Sequence, residues 1–360
     1  MSRDRLFKEL HTKWITDDGP QSDVVVTSRV RLARNLRSFS FPQLLNDQSA
    51  EQMLKLIQDS VTLGSGRGDV GNLDFLPLSQ VVPLDRQVLV EKHLISPDLA
   101  KSRNPGAAII VRDDEALSIM VNEEDHLRIQ CLLPGFQLEE CWKLASRLDD
   151  LLEDRLEYGF DQTHGYLTAC PTNVGTGLRA SAMMHLPGLV MTQQVGSVLA
   201  AISQVGLVVR GLYGEGTEAI GNIFQISNQI TLGQNEEEII QNLSAVIKQM
   251  VEQEKTCRHA LLQGNRVALE DRIYRAFGIL TNARLLTLQE AMRLLSDVRL
   301  GADLKILDGL TTHVLNELLV LVQPAMMQRS VEEKMSEGSR DQKRAEIVRG
   351  RLRLGQEGGK

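Results

Sequence analysis

The periodicity of apolar residues changes near residue 263, and that change limits the folds open to the chain. Upstream, apolar residues recur both at alternate positions and with helical spacing; downstream, only helical spacing remains. The alternating stretches predict strands over Val24–Val30, Ala107–Val111, Leu117–Val121, His126–Leu133, Leu207–Arg210 and Ile223–Ile230, the middle three joined by tight turns. Helical spacing predicts helices over Ser49–Thr62, Leu138–Leu156, Gln193–Val205 and Glu236–Leu262, then over Leu269–Ala283, Leu288–Ile306 and Thr312–Gln328. A last polar helix is expected over Arg340–Leu354, with Gln356–Lys360 a frayed end. The expectation is an α+β chain: an antiparallel-sheet domain over residues 1–262, then an all-helical domain over 263–360, with the boundary at Gln263–Asn265.

With 360 residues, 42% of them hydrophobic, the chain can build one large core and one smaller one. A formal net charge of -7 gives no overall attraction to nucleic acid, so any phosphate chemistry must gather its cations locally. Four scattered cysteines (Cys131, Cys141, Cys170, Cys257) without a CxxC pair argue against a thiolate zinc site and suit a reducing compartment. No apolar run approaches the roughly 18 residues of a membrane span, and Met1–Asp18 lacks the apolar core of a signal peptide. A cytoplasmic protein with no membrane or direct nucleic-acid contact and no protein-borne metal site is expected.

The usual nucleotide motifs do not apply. No Walker A sequence is present, and the GxGxxG match at Gly66–Gly71 follows a helix where a strand is required, so it reads as a loop. Arginine is the other means of holding phosphate, being permanently charged, planar and bidentate. In Thr27-Ser28-Arg29-Val30-Arg31, strand alternation puts Arg29 and Arg31 on one face and Val24, Val26 and Val30 on the other; from spacing alone a solvated edge is the more ordinary reading. Asn122-Glu123-Glu124-Asp125-His126-Leu127-Arg128 interrupts an apolar strand region with acids, and if extended it aligns Glu124, His126 and Arg128. That is either an acidic turn or a carboxylate set beside a phosphate-binding arginine. Two Gly-rich loops follow, Cys170-Pro171-Thr172-Asn173-Val174-Gly175-Thr176-Gly177-Leu178-Arg179 and Arg210-Gly211-Leu212-Tyr213-Gly214-Glu215. Glycine lets backbone approach a ligand closely, whereas Cys170 alone is more often a core thiol. Four arginine-bearing segments, two with glutamate and two with glycines, are hard to explain as packing.

SRVRLARN, NEEDHLR, CPTNVGTGLR and RGLYGEGTE, in that order over roughly Val24–Val251 (motif core 24–254), resemble the catalytic domain of the phosphagen (guanidino) kinases. The resemblance implies a phosphagen-kinase-like fold and ATP with Mg²⁺ as cofactors. It implies an ATP-phosphate clamp of Arg29, Arg31, Arg128, Arg179 and Arg210 with flanking nucleotide contacts from Thr27, Ser28, Val30, Ala180, Ser181, Ala182, Met183, Gly211, Leu212, Tyr213 and Gly214. By the same resemblance His93 stands on the adenine side, Glu124 and Glu215 grip the acceptor guanidinium, and Cys170 lies near it. Only 27 residues precede SRVR, where phosphagen kinases carry a helical domain, and the chain continues instead into a helical region. That arrangement resembles the bacterial McsB-type protein-arginine kinases. Arg340-Asp341-Gln342-Lys343-Arg344-Ala345 matches their RDxxRA motif, implying a phosphoarginine pocket of Arg340, Asp341, Arg344 and Ala345. The substrates implied are proteins with exposed arginines, marked for degradation; the partners are a McsA-type activator, a CtsR-type stress-response repressor and the ClpC–ClpP protease, with a homodimer or larger oligomer. A small-molecule guanidino kinase and a phosphoarginine-binding adaptor are the alternatives.

Overall fold

The computed structural model describes residues 3–66, 68–211, 220–331 and 333–357. Two short helices, α1 (Arg3–Lys8) and α2 (Lys13–Thr16), precede strand β1 (Val25–Arg34). Helix α3 (Asp47–Gly64) leads to β2 (Leu73–Pro77), and α4 (Pro83–Glu91) and α5 (Pro97–Lys101) precede the meander β3 (Ala108–Arg112), β4 (Leu117–Val121) and β5 (Leu127–Pro134). After α6 (Leu138–Glu153) and the two-residue strands β6 (Phe160–Asp161) and β7 (Gly165–Tyr166) come β8 (Leu178–His185), α7 (Pro187–Met191), α8 (Val195–Gln204), β9 (Leu207–Arg210) and β10 (Ile223–Asn228). The long α9 (Glu236–Gly264) is followed by α10 (Arg266–Asn282), α11 (Leu288–Asp303), α12 (Thr312–Leu321), α13 (Pro324–Arg329) and α14 (Glu337–Glu357).

Eight strands form one antiparallel sheet in the order β2-β3-β4-β5-β1-β8-β10-β9. The six strands expected from the sequence are there. Strands β2 and β8 had no periodicity to announce them: β2 carries Asp74 and Pro77 at the sheet edge, and β8 is rich in small residues. Helix α4 was also unexpected. The helix expected over Thr312–Gln328 is two, because Pro324 cannot continue α12 and instead starts α13. Capping explains the helix starts: Asn235 and Glu238 form a capping box on α9, and Asn265 ends α9 while its side chain accepts from Ala268 N to begin α10.

The two faces of the sheet have different covers. One face packs against α3, α6 and α9 through Val30, Leu32, Ile129, Cys131, Ala180, Ala182 and Ile226, all nearly inaccessible. On the other face Leu132, Met183 and Ile223 join Trp14 and the helices from α10 onward in a second core. Val26 lies in that second core, not with Val24 and Val30 as strict alternation predicts. The register shifts between Val25 and Thr27 by one residue, and such a bulge reverses the facing of what precedes it. Trp14 O accepts from Asn316 Nδ2 (3.4 Å) and Ser22 O from Arg299 Nη2 (3.0 Å), so the N-terminal segment is built into the helical region's core. The rest of this second face is left to a cleft.

Candidate active site

Central strand β1 supplies the cleft with Arg29 and Arg31 on its outward face, as alternation predicts. Antiparallel pairing sets their neighbours: Arg31 lies opposite Arg179 on β8 and Gln130 on β5, and Arg29 opposite Ser181 and Leu132. Arg128 pairs with Ala33, and Arg210 with Gln225. Arginines far apart in sequence thus become a single patch, with Ala33, Ser181 and Ser227 as a low floor between them. A cavity of about 510 Å³, lined by Arg31, Arg128, Arg179, Arg210, Glu124 and Cys170, joins a smaller one of about 110 Å³ through Arg31 and Arg210. Arg29 Nη2 donates to Gln225 Oε1 (2.9 Å). Burial first, then the charges of Arg128, Arg179 and Arg210, bring the Arg29 guanidinium down to about 10, and Arg31 is lowered well below its usual value by burial and then by Arg29, Arg128 and Arg179. A buried patch of like-charged cations is complementary to a polyanion.

At the acceptor end, the residues 122–126 are not extended, so Glu124, His126 and Arg128 do not share a face. Asn122 takes a left-handed conformation (φ 59°) and the chain turns between β4 and β5. Glu123 and Glu124 point into the cleft, where Arg128 bridges them: Nη1 to Glu123 Oε2 (2.6 Å) and Nη2 to Glu124 Oε2 (2.5 Å). Glu124 Oε2 also accepts from Asn173 Nδ2 (3.3 Å), and Glu123 Oε1 from Ser96 Oγ (2.6 Å). Asp125 and His126 turn inward. Asp125 Oδ1 accepts from Asn35 Nδ2 and Ala169 N (both 2.7 Å), tying the turn to the loop that carries Cys170. His126 Nδ1 accepts from Leu36 N (3.0 Å), which leaves Nε2 to donate to Ser40 O (2.8 Å); burial holds this ring down to about 4.

Cys170 is half-buried at the cleft wall, its Sγ 3.0 Å from Thr172 Oγ1. Its loop is fixed from behind. Thr231 Oγ1 donates to the carbonyls of Thr172 (3.0 Å) and Val174 (2.7 Å), and Arg34 Nη1 to that of Thr176 (3.0 Å). Gly175 (φ 110°) passes so close to Thr231 that a Cβ would stand 2.2 Å from its carbonyl oxygen. Arg34 therefore serves structure: it is buried on Asp149 Oδ2 (2.6 Å) and stacked 3.5 Å over Tyr166. In the smaller cavity His93 (φ 61°) is held by Gln130 Nε2, which donates to its carbonyl (2.8 Å), and its ring lies 5.6 Å from that of Trp14. Burial, then Arg29, lowers its imidazole to about 3, so it is neutral at physiological pH.

Several expected nucleotide contacts face away. Val30, Ala180 and Ala182 lie in the core of the opposite face, and Ser28 spends its hydroxyl on Gly135 O and Gln137 N (both 2.8 Å). Met183 belongs to the helical region's core, while Thr27 is buried and Ser181 lies in the floor. Gly211 is described; Leu212, Tyr213, Gly214 and Glu215 lie outside the described residues. Sequence reasoning passed over Glu123, Ser96, Asn173 and Gln225, polar residues recognisable only from the loops and strands that bring them to the cleft. Among the described residues no group of three or more His, Cys, Asp or Glu could hold a metal ion, and no helix is long and apolar enough to cross a membrane.

In the helical region, Arg344 is buried and directs Nε to Val322 O (2.9 Å) and Nη1 to Leu286 O (2.7 Å) and Asp341 Oδ1 (2.5 Å). It is engaged inside the protein, so the open fork expected of the pair falls to half-buried Arg340 one turn earlier; Ala345 is buried.

Comparison with known proteins gives the family. Residues 41–257 match the family model of the ATP:guanido phosphotransferase C-terminal catalytic domain, and residues 266–359 that of the protein-arginine kinase McsB C-terminal domain. The chain is 55% identical over 341 residues to a protein-arginine kinase of Moorella thermoacetica, covering 95% of this chain and 97% of that one. It is 51% identical over 354 residues to one of Brevibacillus brevis, covering 98% and 99%. Among solved structures it is similar to the duplicated taurocyamine kinase of Schistosoma mansoni with bound transition-state-analogue components, at 26% identity and a TM-score of 0.60, over 67% of this chain and 34% of that one. Lombricine kinase shares the fold, at 24% identity and a TM-score of 0.59, over 71% and 70% of the two chains.

Proposed function

The chain belongs to the protein-arginine kinases of the ATP:guanido phosphotransferase family, and from that membership we propose that its cleft moves the γ-phosphoryl group of ATP directly onto arginine side chains of proteins. The observation that carries the mechanism is the meeting, in one cavity, of the arginine patch with Glu124, which is held between Arg128 and Asn173. ATP phosphates lie across Arg29, Arg31, Arg128, Arg179 and Arg210, with the adenine toward neutral His93. A guanidinium is a poor nucleophile because it is protonated and delocalised. Glu124 and Glu215 orient it and one of them takes its proton as the Nη–P bond forms, while the bond to the ADP oxygen breaks. Phosphoryl transfer of this kind is loose, so positioning and charge neutralisation supply most of the rate. Cys170 flanks the acceptor without bonding to phosphorus.

Mg²⁺ suits a site without a dedicated protein cage, because it prefers phosphate and water oxygens with one or two carboxylates. Glu123 is the cleft carboxylate that would hold it, and the ion would neutralise charge on the transferred group. Residues 1–262 act as the catalytic domain and 263–360 as a helical regulatory one, where Arg340 and Asp341 take up phosphoarginine while Arg344 and Ala345 brace the pocket. Occupancy there favours an active assembly, a homodimer or larger. The setting is cytoplasmic protein quality control and stress response, with a McsA-type activator, a CtsR-type repressor and ClpC–ClpP acting on the marked proteins.

The test is incubation with γ-labelled ATP and either a protein substrate or free arginine. Acid-labile label on protein arginines is expected. Label on free arginine alone would make the chain a small-molecule kinase, and binding without transfer would make it an adaptor.

A further inference from the structure

Beyond Glu123 and Glu124 the cleft opens into a second chamber of about 470 Å³ that nucleotide and acceptor guanidinium do not account for. It shares Asp98, Glu123, Glu124 and Arg128 with the transfer cavity, and its far wall adds Gln43, Lys101 and Asn122. Two features describe what it would bind. Asn122 is 2% exposed and left-handed, yet its Oδ1 has no hydrogen-bond partner, while its Nδ2 reaches Gly106 O at 3.5 Å. A buried amide oxygen left in this way is costly unless something donates to it. The charges point the same way. Arg128 answers Glu123 and Glu124, but exposed Asp98, on α5, has no ion-pair partner among the described residues, and Lys101 is the other cation on the wall. Gln43 donates to the Glu124 carbonyl (3.2 Å) and closes the chamber against the catalytic turn. The chamber is thus acidic and rich in acceptors, and it begins at the carboxylate where the target arginine ends.

We propose that this chamber is a specificity subsite that receives a second basic side chain, lysine or arginine, from the protein substrate next to the arginine being phosphorylated, with Asp98 as its charge partner and the Asn122 amide oxygen as its hydrogen-bond acceptor. The inference rests on the protein-arginine reading of the cleft. A free amino acid cannot fill both cavities, so the subsite also separates protein from small-molecule acceptors.

The experiment measures kcat/KM on peptides with one target arginine, comparing leucine with lysine placed at each neighbouring position in turn. The wild-type enzyme should favour the best lysine peptide by roughly tenfold, the size of one charge-assisted hydrogen bond. Asp98→Lys should abolish or reverse that ratio and Lys101→Glu should raise it; both positions are exposed, so the fold should tolerate them. A wild-type ratio near one, or a ratio unmoved in both variants, would overturn the subsite while leaving protein-arginine transfer intact. Turnover of free arginine with none of any peptide would overturn the protein-substrate reading, and the subsite with it.

Discussion

Arginine is concentrated in two regions of this molecule, and the two treat its charge in opposite ways. At the junction of sheet and helical region, Arg258 donates to Glu254 Oε1 (2.6 Å), Asp303 Oδ2 (3.2 Å) and His185 O (3.2 Å). Arg299 donates to Asn316 Oδ1 (2.7 Å), and Glu254 also accepts from Gly188 N on Oε1 and from Leu189 N on Oε2. The charges of Arg258, Glu254 and Asp303 are spent on one another and on neighbouring backbone groups. In the cleft, Arg29 meets a neutral glutamine, its pKa lowered by burial and then by three other arginines, and Glu123 and Glu124 both go to Arg128. The first arrangement holds elements together. The second costs stability unless a polyanion arrives, which is how a binding site differs from a structural ion pair made of the same residue.

The largest test of that contrast is Glu124→Gln. It should cut kcat by about 10²–10⁴-fold, as expected for a lost general base, while the melting temperature and nucleotide binding stay near wild type. Near-normal turnover would remove Glu124 from the chemistry. Arg258→Met and Arg29→Met come next as a pair. Stranding the buried acids around Arg258 should cost about 3–5 kcal/mol of stability. Arg29→Met should leave the denaturant midpoint unchanged or raised, and raise KM for ATP at least tenfold. If both variants lost equal stability, the cleft arginines would be structural too.

A smaller effect lies in pH. His126 is held at about 4 against an ordinary 6.5, so below 6.5 the unfolded chain binds a proton that the folded chain does not. This contribution is therefore present above 6.5 and is lost as pH falls toward 4, on the order of 3 kcal/mol in all. Glu91, pushed up to about 7, and Asp303, pushed up to about 6, both by burial, work in the opposite direction. The difference between wild type and His126→Asn isolates the histidine: the variant's urea midpoint should fall less between neutral pH and about pH 5. Equal slopes would count against it. The smallest change is expected from Arg340→Ala with Asp341→Ala, which should leave basal turnover near wild type, weaken calorimetric binding of free phosphoarginine and blunt any rise in activity with autophosphorylation. Equal affinity in wild type and double mutant would reduce α14 to a solvated helix.

Much of the site was legible beforehand because strand parity is a local rule. Arg29 and Arg31 face the cleft, as their segment suggests; Glu124 and Arg128 also meet there, but through a turn and not along one strand face. Parity failed where the backbone broke it: at the bulge that turns Val26 over, and at left-handed Asn122, which sends His126 into the core. Strand β8 could not be read because its Ala-Ser-Ala stretch has no strand preference of its own; β1 and β10 on either side impose the conformation.

By itself, then, the order of residues determined which segments alternate, where strands cease after α9, where the helices are capped, and which arginines and acids were available for phosphate chemistry. These depend on interactions a few residues long. Tertiary structure alone decided which of those charges share a cavity and which are consumed. Parity sets Arg34 and Arg31, three apart on one strand, on opposite faces, but only the packed molecule put Asp149 against one face and opened the other into the cleft. That choice depends on what lies across the sheet and above it, and burial and the partners within a few ångströms set whether a charge holds the fold or waits for a ligand.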